Sequence, residues 1–132
     1  MSSTLVYISG LVFELGVYHI HELSKRLGRA NGILSKLRYN VPREVLLQVY
    51  YAVFYSHLIY GCSVWGLASD GLISGIEVLQ RKCVRILTFA PFNSHTDEIF
   101  EDLKILKVRD VIKMHQLRLV FDFLHGRRRV TL

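Results

Sequence analysis

Residues 19–38 read HIHELSKRLGRANGILSKLR, and this stretch decides the fold class. Its apolar residues recur at alternating steps of three and four, the spacing that places side chains on one face of an α-helix. They are Ile20, Leu23, Leu27, Ala30, Leu34 and Leu37. The opposite face is cationic and contains Lys25, Arg29 and Lys36, with Arg26 at its flank. The pattern predicts an amphipathic helix. Its glycines, Gly28 and Gly32, weaken it by roughly 1 kcal/mol each and leave room for another backbone to approach.

The sequence after this helix predicts a second one. Pro42 fits a first helical position, because its missing N–H has no partner to lose there. The residues from Pro42 to about Tyr60 are apolar nearly all round, which is typical of the central helix of a bundle. Ser69-Asp70-Gly71 then predicts a turn and a helix N-cap.

A third helix, from about Leu72 to Phe89, repeats the design of the first. One side is apolar and contains Leu72, Ile76, Leu79, Cys83, Ile86 and Leu87. Arg81 and Arg85 are predicted to point away from that side, with Lys82 adjacent, and Pro91 closes the helix.

Two further helices complete the expected fold. A short acidic helix begins after Thr96 or Ser94, and a last helix runs from about Val108 to Leu124 and stops at Gly126. The sequence therefore predicts an all-α bundle of about four to five helices, with an extended N-terminal segment as one option. The expected core contains Leu23, Leu27, Leu34, Leu46, Val53, Leu58, Leu79, Ile86 and Phe121.

Composition narrows the class of protein. The 132 residues are 51% hydrophobic and 21% charged, which excludes a disordered chain. The net charge of +6 indicates a polyanionic partner, either nucleic acid or an anionic membrane face. Cys62 and Cys83 lack C-x-x-C spacing, so neither a zinc ribbon nor a disulfide framework is indicated. A reducing intracellular compartment, cytoplasm or nucleus, fits better.

Two apolar stretches raise the question of a membrane. Residues 45–68 carry no charge and are long enough to span ~30 Å of hydrocarbon. Gln48, His57 and tyrosines spread along the stretch favour a buried core helix and a turn instead. Residues 1–17 lack a cationic start and contain Glu14, which argues against a signal peptide. We therefore expect no membrane span.

The candidates for chemistry are weak. Four acidic residues share helix faces at i,i+4 spacing and could bind a metal ion: Asp97, Glu98, Glu101 and Asp102. The favoured interpretation is a solvated helix start, where acidic side chains interact favourably with the helix dipole. The six histidines show no ligand pair, and Cys83 lies on an apolar stripe, as a core residue would. No serine elbow or Walker loop is present. We expect no catalytic site, metal, cofactor or small-molecule substrate.

Several motifs together resemble the region downstream of the catalytic palm in jockey-like and related LINE-type reverse transcriptases. The resemblance covers roughly residues 19 to 125. It comprises the H-I entry His19-Ile20, the helix-starting Pro42, Tyr60 followed by Val64-Trp65-Gly66, and Leu79-Gln80-Arg81-Lys82 followed by Arg85-Ile86. Single pieces are common in proteins, whereas their order and spacing together are fairly specific.

The sequence departs from the family pattern in three places. Glu14-Leu15-Gly16-Val17 runs almost directly into His19-Ile20, where the family has a spacer containing a tryptophan. The paired-aspartate polymerase motif, which lies upstream in the family, does not occur in this sequence. Arg127-Arg128-Arg129 replaces the expected continuation. These departures predict a remnant or fragment: residues 1–18 as an entry segment, 19–126 as a helical domain and 127–132 as a basic tail.

The resemblance implies a thumb: helices that lie against a template–primer duplex and hold it. Thumb helices need no base specificity. They need cations that contact the phosphates and an apolar face that packs rigidly against the rest of the protein, and the two amphipathic helices have both. The implied partner is an RNA–DNA hybrid or duplex, and a palm domain is a further one. The implied contact residues are Lys25, Arg26, Arg29, Lys36, Arg81, Lys82 and Arg85. The parent would be an RNA-directed DNA polymerase, but this chain would not be an enzyme on its own.

Two other functional classes also fit the sequence. The chain could be a helical scaffold that docks a palm domain or other protein through exposed apolar surface, or a membrane-associated helical protein. The aromatic run Tyr50, Tyr51, Phe54 and Tyr55 could stack bases, although a core role is favoured, and Trp65 is expected to be a packing anchor.

Overall fold

The computed structural model describes residues 2–126, except for the side chains at positions 2, 12, 13, 63 and 64. Every regular element in this part of the chain is helical. The elements are α1 (Ser2–Leu37), α2 (Arg43–Tyr50), a π-helical turn (Tyr51–Tyr55), α3 (Ser56–Ile59), α4 (Cys62–Trp65), α5 (Asp70–Thr88), α6 (Asp97–Leu103) and α7 (Val108–Leu124). The predicted all-α class is confirmed. The predicted basic tail, 127–132, lies outside the described residues.

The N-terminal segment is helical, so the extended option is wrong. Helix α1 runs without a break from Ser2 through His19 to Leu37. Residues 2–18 contain no proline, and a helix already nucleated downstream gains one hydrogen bond for each residue that it adds. By length and composition alone, α1 could also cross a membrane, a property that it shares with core helices and signal sequences.

The second half of α1 packs as the periodicity predicts. Ile20, Leu23, Leu27, Ala30 and Leu34 are all buried, and Leu37 packs against them at the edge of the core. The stripe faces α5, where the buried amide of Asn31 donates a hydrogen bond to the carbonyl of Leu79 at 3.1 Å. At the far end, Arg38 lies over the ring of Phe89. The two helices therefore run side by side in the same direction.

The stretch from Arg43 to Ile59 is one helical rod with a widened turn in its middle. Its buried residues, Leu46, Tyr50, Phe54 and Leu58, are spaced by four. Each such step overshoots a full α-helical turn by about 40°, so a regular helix would carry the stripe off the core. The π turn, in which the N–H of Ser56 reaches the carbonyl of Tyr51, takes up this drift.

The uncharged stretch 45–68 does not form one long helix. The rod ends at Ile59, Tyr60 is extended and Gly61 has a φ of 67°. Helix α4 follows, and its Trp65 is 2% exposed, with Nε1 donating to the carbonyl of Leu58 at 3.1 Å. Trp65 is thus confirmed as a packing anchor.

The aromatic run is divided between core and surface. Tyr50 and Phe54 are fully buried, which confirms the core role for these two rings. Tyr51 is exposed and Tyr55 is half-buried.

The glycines that permit close approach differ from those predicted. A Cβ at Gly28 or Gly32 would meet nothing within 4 Å, so no backbone approaches there. At Gly66 a Cβ would lie 2.6 Å from the carbonyl oxygen of Cys62 and 2.8 Å from Cγ2 of Ile112. Gly66 therefore allows α4 to pack against α7.

The buried face of α5 is rotated from the predicted one. Ile76, Cys83 and Leu87 are buried as expected, whereas Leu72, Leu79 and Ile86 are only partly buried. The residues Ile73, Gln80 and Val84 are buried in their place. Gln80 can be buried because its amide is fully engaged: Nε2 donates to Leu106 O at 2.8 Å and to the Tyr50 hydroxyl at 3.3 Å, and Oε1 accepts from Val108 N at 2.9 Å.

The C-terminal helices follow the predicted limits. Thr96 is the N-cap of α6, and α7 spans Val108 to Leu124, with Gly126 at a φ of 63°. The placement of Phe121 in the core is wrong, because its side chain is 48% exposed. Only the first turns of α7 are buried, through Val108, Val111 and Ile112, so its apolar C-terminal half projects beyond the core.

Candidate nucleic-acid interface

The α1 basic face, defined as Lys25, Arg29 and Lys36 with Arg26 at its flank, is fully on the surface. Lys25 has an acidic neighbour, Glu22, at 3.5 Å, and with 66% of the lysine side chain exposed such a pair contributes little. The face extends for about 16 Å along the helix from Lys25 to Lys36, at 1.5 Å per residue. The buried stripe holds the opposite side, so these cations do not support the fold.

The cations of α5 are placed differently from the prediction. Lys82 is exposed, but Arg81 and Arg85 are half-buried, whereas the prediction had them pointing away from the packed side of the helix. Nε and Nη2 of Arg85 donate to the carbonyl oxygen of Ser94 at 3.2 and 2.9 Å. The rotation of α5 about its axis explains the difference, because it turns this flank toward the segment that leads into α6.

Arg81 borders a small cleft whose charges are mixed. Glu77, Asp97 and Lys107 line the same cleft. Nζ of Lys107 donates to Asp97 Oδ1 at 2.8 Å, and this hydrogen bond lowers the pKa of the aspartate below its usual value. Among residues 2–126, no three His, Cys, Asp or Glu side chains cluster closely enough to hold a metal ion. Arg81 therefore faces a locally balanced surface.

Arg38 is a cation that the sequence reasoning missed. Its guanidinium carbon lies 4.9 Å from the centre of the Tyr39 ring and 4.7 Å from that of Phe89, and Nη2 donates to the Tyr39 hydroxyl at 2.8 Å. Phe89 ends α5 in the left-handed region, at a φ of 57°. Such a conformation is strained for a bulky residue, and its contacts with Arg38 and Tyr39 help to hold it there.

The cation just after α1 meets two cations from the last two turns of α5. Arg38, Lys82 and Arg85 line one open depression of about 390 Å³, which we call the Phe92 pocket. Its remaining lining residues are Ile86, Ala90 and Phe92. The structure thus brings Lys82 and Arg85 together, leaves Arg81 in a separate cleft, and keeps the α1 basic face as a distinct surface. The parallel packing of α1 and α5 could not be derived from the apolar spacing of either helix. The sequence did show an arginine near the end of each helix, Arg38 and Arg85.

Another arginine is neutralised at the opposite end of α5. Arg109 Nη1 lies 2.7 Å from Asp70 Oδ1, and Nε lies 2.9 Å from Glu77 Oε1. These carboxylates offset its charge, so the start of α5 does not extend the basic surface.

Both cysteines are free and buried. Burial raises the pKa of the Cys62 thiol to about 11 and that of Cys83 further above its usual value. Cys83 is 0% exposed, which confirms its predicted place in the core, and its raised pKa favours the protonated thiol at neutral pH.

Comparison with known proteins gives matches of one kind. A probable RNA-directed DNA polymerase from transposon X-element of Drosophila melanogaster is 33% identical over 72 residues, 54% of this chain and 8% of the relative. The RNA-directed DNA polymerase from mobile element jockey of Drosophila funebris is 29% identical over 93 residues, 70% of this chain and 10% of the relative. The jockey polymerase of Drosophila melanogaster is 31% identical over 67 residues, 51% of this chain.

No family model matches the chain, and no solved structure matches it. The matched segments make up a tenth or less of each of these relatives. The predicted resemblance is confirmed: the chain is similar to a short segment of the RNA-directed DNA polymerases of non-LTR retrotransposons.

Proposed function

We propose that this chain is a non-catalytic thumb region of a retrotransposon RNA-directed DNA polymerase and contacts the phosphate backbone of template–primer nucleic acid. One observation carries the proposal. The α1 basic face presents three aligned, exposed cations on a helix whose other side is rigidly buried. Cations on a rigid support are what binding to a phosphate backbone without sequence preference requires.

The similarity to polymerase segments supports a nucleic-acid partner in general. Lys82 and Arg85 extend the proposed contact surface at the end of α5, whereas Arg81 takes a lesser part because Asp97 and Glu77 lie in its cleft. The proposed place of action is the cytoplasm or nucleus. The chain would not polymerise DNA alone, because the paired aspartates of the family are missing from its sequence.

Charge removal tests this proposal. The affinity of the full chain for an RNA–DNA hybrid should fall when Lys25, Arg29 and Lys36 are all replaced by alanine. A matched control replaces Lys104, Lys113 and Arg118, also two lysines and one arginine and also exposed. Fluorescence anisotropy should show at least a tenfold loss for the first variant and a much smaller loss for the control. Equal losses would mean that net charge, rather than the α1 basic face, governs binding.

A second candidate is docking of a palm domain. The first half of α1 exposes Leu5, Val6 and Tyr7 at 67%, 72% and 70%, and α7 exposes Leu117 and Phe123 at 61% and 64%. Exposed apolar surface of this extent favours a protein contact. If docking is the main role, serine replacements at Leu5, Tyr7 and Phe123 should abolish binding to a purified palm domain and leave hybrid binding unchanged. Palm binding that survives these replacements would reject this candidate.

A further inference from the structure

We propose that the Phe92 pocket binds an unpaired nucleotide, with the base stacked on the Phe92 ring and the phosphate held by Lys82 and Arg85. This inference rests on the proposed nucleic-acid function and assigns a second kind of contact to it. The α1 basic face would hold duplex backbone, and the pocket would hold an adjoining single strand.

Phe92 lies on the surface, at the rim of the pocket. Its side chain is 86% exposed, a large apolar area to leave in water. The residue sits in a tight turn, because the N–H of Ser94 donates to the carbonyl of Pro91 at 3.0 Å and the Ser94 hydroxyl donates to the same oxygen at 2.6 Å. The fixed turn therefore presents an aromatic ring toward solvent.

Arg85 anchors this turn to α5. The two hydrogen bonds from Arg85 to Ser94 O tie the turn to the helix that carries Lys82. The backbone that carries Phe92 is consequently held beside the helix that carries Lys82 and Arg85. Preorganised groups bind a ligand with a smaller loss of conformational entropy than flexible ones do.

The lining of the Phe92 pocket is cationic. Arg38, Lys82 and Arg85 line the depression, and no acidic side chain of the described residues lines it. Its volume of about 390 Å³ is within the range of about 300–1,000 Å³ that is usual for small-molecule sites. An exposed aromatic ring beside cations matches a nucleotide, since bases stack on aromatic side chains while the backbone phosphates are neutralised. A paired base inside a duplex could not offer its face to the ring.

The test compares three RNA–DNA hybrids: one blunt, one with a two-nucleotide overhang, and one with an abasic overhang that keeps the phosphates. The full chain should bind the overhang with bases at least fivefold more tightly than the abasic one, as a stacked base is worth about 1–3 kcal/mol. Phe92→Ala should abolish this difference without changing binding to the blunt hybrid. Phe123→Ala, which removes another exposed phenylalanine, should retain it.

Phe92→Trp supplies a second readout. This variant should keep the preference for bases, and stacking of an overhang base on the new tryptophan should quench its emission. Trp65 is buried, so its own emission should not respond to the overhang. Equal affinity for base and abasic overhangs in the unmodified chain would overturn the pocket assignment, while continued binding to the blunt hybrid would leave the proposed function standing. Failure to bind any of the three hybrids would overturn both. Tighter binding of a polyglutamate peptide than of the overhang would assign the pocket to acidic peptides instead.

Discussion

Helices α1 and α5 have the same design in sequence, apolar on one side and cationic on the other, yet they use their cations differently. On α1, Lys25, Arg29 and Lys36 are exposed on the side opposite the buried stripe. On α5, Arg85 holds the turn before α6 and Gln80 holds the start of α7. The same sequence pattern thus supplies exposed cations on one helix and, on the other, a cation that also ties neighbouring elements together.

The largest expected effect concerns the buried amide of α5. Gln80→Ala would leave the N–H of Val108 and the hydroxyl of Tyr50 without this partner in the core, and it would remove a donor from the partly buried carbonyl of Leu106. Each unsatisfied buried group costs about 1–3 kcal/mol. We expect the free energy of unfolding to fall by about 3 kcal/mol in urea denaturation. Gln48→Ala, an exposed glutamine on α2, is the control and should change it by less than about 0.5 kcal/mol. Similar values for both variants would mean that α5 is no more tied to its neighbours than an ordinary surface helix.

A smaller effect should separate the arginines of the two helices. Arg85→Ala removes two charge-assisted hydrogen bonds to Ser94 O at a half-buried site, so we expect a loss of about 1.5 kcal/mol. Arg29→Ala on α1 should change stability by less than about 0.5 kcal/mol. Arg85→Lys keeps the charge but cannot reproduce the paired bonds, and it should be almost as destabilising as alanine. If Arg85→Lys is as stable as the unmodified chain, stability depends on the positive charge at position 85 and not on the paired hydrogen bonds to Ser94 O.

Local patterns predicted much of the fold. The stripe of α1 and the limits of α7 follow from apolar spacing and from the glycine after the last helix, since both depend on neighbouring residues alone. The rotation of α5 could not be predicted, because it depends on a glutamine whose partners are 26 to 30 residues away in the chain. The π turn did leave a signal, the repeated spacing of four from Leu46 to Leu58.

The candidate site was predicted in part. The α1 basic face required only one helix, and its residues are exposed as expected. The Phe92 pocket required the parallel packing of α1 and α5, which brings Arg38 to Phe89, and a turn fixed by Arg85. Long-range packing of this kind is not encoded in the periodicity of either helix, which is why Arg38 and Phe92 were missed.

The salt dependence of duplex binding tests the central claim most directly. Each phosphate neutralised on B-form DNA contributes a slope of about −0.9 to the logarithm of affinity against the logarithm of salt concentration. If Lys25, Arg29 and Lys36 each neutralise one phosphate, their joint replacement by alanine should reduce the slope of the full chain by roughly 2.7. The control variant at Lys104, Lys113 and Arg118 should keep the slope of the unmodified chain. A slope that is the same for the unmodified chain and the α1 variant would contradict phosphate contact by the α1 basic face.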